Sequence, residues 1–306
     1  MKHVLSFSDF SGEELTGLVR LALEIKRHPE RFAGRMAGRW LLMLFQKTST
    51  RTRISFEMGM KNLGGDSLVM DWDKSNFSIS PIRYEARYVS RHADVIMARL
   101  KSHQDVAALA EFSSIPVING CDDKFHPCQA LADLLTVYET SGGFEGQTVT
   151  YTGIHNNVVN SLAEACTKVG LKLILVTPEM NPAAAEVAQM DAWKASGWVE
   201  TLDDLRTAAE RSQYVYTDTW VDMEYFYDPD YQEEKERRIA KMLPYQLNQE
   251  NLGASTAYIL HDMPVHPGYE ISEDMVESPR SLIYQQAENR MYAQQALMLH
   301  LLELDT

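Results

Sequence analysis

Hydroxyl and guanidinium groups crowd the segment Phe45-Gln-Lys-Thr-Ser-Thr-Arg-Thr-Arg-Ile-Ser-Phe-Glu57. An apolar run, Trp40 to Phe45, comes before it, and a helix-like stretch ending at Gly64 follows, so the hydroxyl residues leave a strand and open a helix. In that position backbone N–H groups, Ser and Thr hydroxyls and the positive end of the helix dipole converge on an anion. Arg51 and Arg53 add fixed charge, and a guanidinium grips a phosphate through two parallel hydrogen bonds. The segment reads as a phosphate cradle, although G-x-x-x-x-G-K-[ST] is absent and it is no Walker loop. A capped helix with surface arginines has the same spacing, so the segment by itself leaves both readings open.

The elements that must position these groups alternate between strand and helix. Ser11, with Glu14 three positions on, caps a helix over residues 11 to 27. Strands are expected at Trp40 to Phe45, Ser67 to Met70, Val95 to Ala98 and Pro116 to Ile118, each followed by polar residues and a helical stretch. A second series starts near Gln147 with TVTYTG, a helix from about Asn157, LKLILVTP, YVYTD, AYILH and SLIY at residues 281 to 284. Alternation of this kind implies an α/β fold of two doubly wound parallel-sheet domains joined by helices. The expected units are residues 1–140 and 147–285, linked by SGGFEG at 141–146, with 286–306 carrying a last helix, Ala287 to Leu302, that packs back on the first unit.

A chain of 306 residues with 45% hydrophobic residues can bury two cores. Its formal charge of −14, from 43 acidic against 29 basic residues, disfavours nucleic acid as a partner. No run of about 18 apolar residues suits a membrane span, and the amino terminus lacks a signal-peptide core, so no membrane partner and a cytoplasmic location are expected. Cys121, Cys128 and Cys166 match neither a zinc site nor a disulfide framework, and reduced thiols fit that compartment.

Ser49-Thr-Arg-Thr-Arg53 resembles the carbamoyl-phosphate motif of the aspartate and ornithine carbamoyltransferase family, and Phe125-His-Pro-Cys-Gln-Ala-Leu-Ala-Asp133 is similar to its H-P-x-Q-x-L-x-D segment. Ala98-Arg99 and Ala287-Glu-Asn-Arg290 extend the resemblance over nearly the whole chain, closest to the ornithine branch. It implies transfer of a carbamoyl group from carbamoyl phosphate to an amine, with no cofactor and no metal. Attack on the carbamoyl carbon makes a tetrahedral oxyanion and phosphate then leaves, so catalysis is chiefly anion stabilisation and positioning. By resemblance, Ser49, Thr50, Arg51, Thr52 and Arg290 hold the phosphate, Arg99, His126 and Thr52 polarise the carbamoyl oxygen, and Gln129 faces the carbamoyl nitrogen. A homotrimer, or a multiple of trimers, is the oligomer it implies.

The acceptor side agrees only in part. Gly153-Ile-His-Asn-Asn157 is similar to a G-x-x-x-N-N segment and implicates Asn157; Thr217-Asp-Thr-Trp220 resembles T-D-x-W, so Asp218 would meet the acceptor's α-amino group. Where the ornithine branch has Ser-Met-Gly, this chain has Asp222-Met223-Glu224, and its H-C-L-P loop appears as His261-Asp262-Met263-Pro264, with Pro267 where an arginine is usual. Asp222, Met223, Asp262 and Met263 are candidate acceptor contacts. Asp262 either takes or holds the ammonium proton, which must leave before nitrogen attacks, or points to solvent while backbone carbonyls bind the amine. If Asp222, Glu224 and Asp262 all line the pocket, they favour a more cationic acceptor than ornithine. The loop 71–82 also departs from the family pattern; Lys74 and Ser75 are its best-placed contributors to a neighbouring subunit.

Other classes fit less well. Gly153-Ile-His-Asn-Asn157 lacks the G-x-G-x-x-G of a nicotinamide-binding turn. His261, Asp262 and His266 group potential metal donors at a spacing that matches no zinc signature. A catalytically silent carbamoyl-phosphate-binding paralogue would explain the altered acceptor loops but not the intact cradle. Within the family, aspartate would call for cationic acceptor residues, and the acceptor segments offer carboxylates; ornithine, or another diamino acid or a diamine, is the expected acceptor.

Overall fold

The computed structural model describes residues 2–185, 187–221 and 225–305. Met1, Glu186, Asp222, Met223, Glu224 and Thr306 lie outside the described residues, and with them three of the acceptor-side positions singled out above.

In the amino-terminal half, helix α1 (Gly12–Arg27) precedes β1 (Trp40–Phe45), α2 (Thr50–Asn62), β2 (Asp66–Asp71), α3 (Ile82–Val89), β3 (Val95–Arg99), α4 (His103–Phe112), β4 (Val117–Cys121) and α5 (Pro127–Ser141). The four strands form one parallel sheet in the order β2-β1-β3-β4. Leu41 to Leu44 and all of β3 are buried, as expected of parallel strands covered by helices on both faces. Ser11 and Glu14 form the anticipated capping box at the head of α1. Helix α5 stops at Gly142, whose left-handed φ of 80° costs glycine nothing.

The second half runs β5 (Thr148–His155), α6 (Asn157–Val169), β6 (Lys172–Met180), α7 (Val187–Ala195), β7 (Val199–Thr201), α8 (Leu205–Glu210), β8 (Tyr214–Thr217), α9 (Gln232–Met242), α10 (Gln249–Leu252), β9 (Tyr258–His261), α11 (Glu273–Val276) and α12 (Ile283–Leu301). Its parallel sheet has the order β7-β6-β5-β8-β9. The sequence reading missed β7, a three-residue edge strand. The expected strand at 281–284 is not formed: Ser281 makes one bridge to Ile259, and the chain then enters α12 one turn earlier than anticipated. The helix-forming Gln-Gln-Ala-Glu that follows outweighs the short apolar run.

Helix α12 packs against α1, α2 and α5 and also touches β9, so one helix reaches both sheets. Each sheet has a switch point where strand order reverses, between β1 and β3 in the first and between β5 and β8 in the second. Ligands of open α/β sheets bind outside such strand ends, and here the two ends open onto one cleft. Among the described residues no helix is long and apolar enough to cross a membrane.

Candidate active site

The cleft has a volume of about 450 Å³ and brings together Ser49, Arg51, Arg99, His126 and Arg290 from the first set of candidates with Asn157, Asp218, Asp262 and Met263 from the second. Lys47, Lys101, Asp122, Asn156, Thr219 and Tyr225 also line it, and the sequence reading proposed none of these as site residues.

One wall is cationic. Ser49 caps α2 by accepting from the Thr52 backbone N–H at 3.2 Å, which leaves its own hydroxyl hydrogen free to donate into the cleft. Arg290, from the first half of α12, donates to Thr52 Oγ1 at 2.8 Å and to Gln129 Oε1 at 2.9 Å. Arg99, at the end of β3, reaches the same hydroxyl at 3.3 Å. The Nε atoms of Arg99 and Arg290 and the Nδ1 of His126 are buried without a partner. Unpaired buried donors are costly, so this wall calls for an anion. Burial lowers the pKa of Arg51 and of Arg290, and in each case the charge of Arg99 adds to the effect. Burial, and after it Arg290, Arg99 and Arg51, push the His126 imidazole well below its ordinary range, leaving a neutral ring that can donate one hydrogen bond.

Six of the described candidates do not line the cleft. Thr52 and Gln129 are fully buried behind the arginines; the Gln129 amide is engaged by Arg290 and by Asp133, to which its Nε2 donates at 2.8 Å. Thr50 is exposed and belongs to a shallower depression on the other side of the loop, together with Arg53, which pairs with Glu57 at 3.4 Å. Lys74 pairs with Asp71 at 3.4 Å and also borders that depression, while the Ser75 hydroxyl donates to the Trp72 carbonyl at 2.9 Å and accepts from the Phe77 N–H.

The other wall is anionic. Strands β8 and β9 pair with Thr217 opposite His261, so Asp218 and Asp262 leave neighbouring strand ends side by side. Adjacent strands lie about 4.8 Å apart. Asp218 accepts from Asn156 Nδ2 at 2.5 Å and from the Thr219 N–H at 2.6 Å. Asp262 Oδ1 is buried and unpartnered. Burial, then the charge and the hydrogen bond of Asp218, push the Asp262 carboxyl far above the usual carboxylate range. Asp262 does not point to solvent: its Oδ1 is turned inward, beside Asp218.

The loop that carries Asp262 is held from behind. The Met263 N–H donates to His261 Nδ1 at 2.8 Å, which fixes the tautomer so that His261 Nε2 donates to Glu270 at 2.9 Å. Against burial, which raises it, hydrogen bonds from His261 and His266 hold Glu270 at about 2. His261 and His266 are thus occupied by Glu270 and Thr219, and no group of three or more metal-binding side chains occurs among the described residues. Asn157 donates to the Asp122 carbonyl at 2.6 Å, tying α6 to the loop after β4. Asn156 was overlooked, yet its place just before the helix is where an N-cap belongs, and its Oδ1 accepts from the Val158 N–H at 3.0 Å.

Residues 2–139 match a family model described as aspartate/ornithine carbamoyltransferase, carbamoyl-P binding domain, and residues 145–301 match the corresponding Asp/Orn binding domain. The ornithine carbamoyltransferase of Archaeoglobus fulgidus is 36% identical over 99% of this chain and 98% of its own length. That of Thermococcus kodakarensis is 39% identical over 97% of this chain and 95% of its own. Among solved structures, ornithine carbamoyltransferase from Pyrococcus furiosus superposes with a TM-score of 0.87 at 34% identity, covering 97% of this chain and 96% of that one.

Proposed function

The chain belongs to the aspartate/ornithine carbamoyltransferase family, and on that premise we propose that it moves the carbamoyl group of carbamoyl phosphate to the side-chain amine of ornithine or a related diamino compound. The observation that carries this reading is the opposition of three arginines, two with unpartnered buried Nε–H groups, to the Asp218–Asp262 pair across one cleft. A dianionic donor suits the first wall and an ammonium-bearing acceptor the second.

Arg51, Arg290, the Ser49 hydroxyl and the backbone at Thr50 hold the phosphate. Arg99 and neutral His126 donate to the carbamoyl oxygen. Thr52 and Gln129 keep the arginines aimed. The acceptor nitrogen attacks the carbamoyl carbon, the carbonyl electrons move to oxygen, and the oxyanion meets donors already in position. Collapse breaks the C–O bond to phosphorus, phosphate departs with the electron pair, and the nitrogen loses its extra proton to the leaving phosphate.

Before attack the acceptor must be a neutral amine. Burial and the neighbouring Asp218 drive Asp262 toward its protonated form. An incoming ammonium displaces that proton to solvent and then passes its own to Asp262, which restores the one-proton pair and frees the nitrogen lone pair. Met263 lends the acceptor its backbone, Asp218 its carboxylate and Asn157 its amide once released from Asp122. Asp222 and Met223 complete the acceptor set in this reading. A homotrimer is part of it, supported by apolar residues left exposed on α2 and β2, Ile54 at 56% and Leu68 at 52%.

The test is turnover. Purified protein is supplied with carbamoyl phosphate and, in turn, ornithine, lysine, shorter diamino acids, putrescine, acylated ornithines and aspartate, with ureido product and phosphate both measured. Ornithine or another diamino compound is expected to give equal amounts of the two. Aspartate as the preferred substrate, or phosphate release without ureido product, would sink the proposal.

A further inference from the structure

A buried hydrogen-bonded strut crosses from one wall of the cleft to the other behind the ligand space. On α5, Gln129 and Asp133 lie one helical turn apart; on α12, Gln286 and Arg290 do the same, and the two helices pack face to face. Asp133 Oδ1 accepts from Gln129 Nε2 at 2.8 Å and from Gln286 Nε2 at 2.7 Å. With both amide nitrogens turned inward, both amide oxygens must face outward. Gln129 Oε1 therefore receives Arg290 at 2.9 Å, and Gln286 Oε1 receives the His261 N–H at 2.8 Å, one residue before Asp262. The four side chains of the strut are at most 3% exposed, so none of these bonds can be exchanged for water. A single oxygen thus sets the orientation of two amides, one bracing the cationic wall and the other the acceptor loop.

We propose that Asp133 is a positioning residue that couples the two substrate subsites, so that an anion gripping Arg290 fixes the 261–264 loop and an occupied acceptor loop fixes Arg290. The inference rests on the carbamoyl-transfer reading of the cleft. Coupling of this kind is reciprocal: each ligand must tighten the other by the same factor. The strut works through Oδ1 alone, because Oδ2 makes no protein hydrogen bond of its own. Asn at this position keeps that acceptor and preserves the coupling, whereas an apolar side chain removes it.

Calorimetry on the full-length protein tests this with two ligands that do not react. One is phosphonoacetamide, which replaces the bridging oxygen of carbamoyl phosphate by a methylene. The other is norvaline, or the amine-lacking isostere of whichever acceptor turns over. In the unaltered protein each ligand is expected to tighten the other about fivefold or more. Asp133→Asn retains that factor. Asp133→Leu and Gln286→Met bring it close to one, and in Gln286→Met, which leaves the Asp133–Gln129–Arg290 bonds in place, phosphonoacetamide alone binds within about twofold of its original affinity; should Asp133→Leu fail to fold, Gln286→Met decides. Undiminished coupling in Gln286→Met, or no coupling in the unaltered protein when both ligands bind, overturns the proposal and leaves the proposed reaction standing. Failure of phosphonoacetamide to bind at all overturns the proposed reaction and the coupling together.

Discussion

The two walls of the cleft are built by different rules. The cationic wall comes from one loop, one strand end and one distant helix, interlocked through Thr52 before any ligand arrives. Its geometry is set by bonds among its own members, and what it lacks is an anion. The anionic wall comes from two neighbouring strand ends, and its members repel each other: Asp262 is driven toward its protonated form by burial and by Asp218. The first wall is preorganised by its own hydrogen bonds, while in the second burial and mutual repulsion favour the protonated form of Asp262.

The contrast can be broken most directly at Arg290. Replacement by Met removes the buried guanidinium proposed to hold the phosphate and strands Gln129 and Thr52, and kcat/KM for carbamoyl phosphate is expected to fall by about 10³-fold with every acceptor; steady-state phosphate release measures it. Asp262→Asn tests the other wall and should separate acceptors by their chemistry. With an ammonium acceptor kcat is expected to drop about 10²-fold, but with the aminooxy analogue of the same acceptor, uncharged at neutral pH, the loss should stay under about fivefold. Equal losses with both would show that Asp262 only shapes the pocket.

Two smaller effects sharpen the comparison through stability against pH. The imidazole of His126 has a folded pKa below its unfolded value, so protonation favours the unfolded chain and stability falls as pH drops below about 6.5. His126→Gln should flatten that acid limb in thermal unfolding. Asp133 runs the other way. Burial pushes it up to about 7, so the folded protein binds the extra proton and loses stability as pH rises from about 4 through that value. Asp133→Asn should therefore raise the melting temperature at pH 8 more than at pH 5. The smallest effect expected is on the sheet edge: Leu68→Lys on β2 should lower the mass seen by light scattering and leave the monomer folded.

Much of the fold could be read from the chain, because parallel strands buried on both faces appear as short apolar runs and helices announce themselves by caps such as Ser11, Ser49 and the Gly142 stop. Strand β7 escaped because three residues at an edge carry almost no pattern, and 281–284 misled because an apolar run of four is equally at home in a strand or a helix's first turn. The site divides in the same way. Ser49 and Arg51 were legible as residue types that bind anions at a helix start, whereas Arg99, His126, Arg290 and Asp218 were reached only through the family resemblance and Asp262 as a departure from it. Asn156 could have been found from its capping position alone.

What the sequence determined by itself was the inventory: an anion cradle on a strand-to-helix turn, carboxylates in the acceptor segments, and the alternation that carries them. Tertiary structure decided which of these groups face the cleft and which stand behind it. Gln129 and Thr52 are buried as braces, Thr50 and Arg53 look outward, Asp262 turns in beside Asp218, and Asp133 holds two glutamines from helices more than a hundred positions apart. The physical reason is that periodicity fixes the face of an element on which a side chain stands, while its partners, its burial and hence its charge depend on which other elements pack against that face.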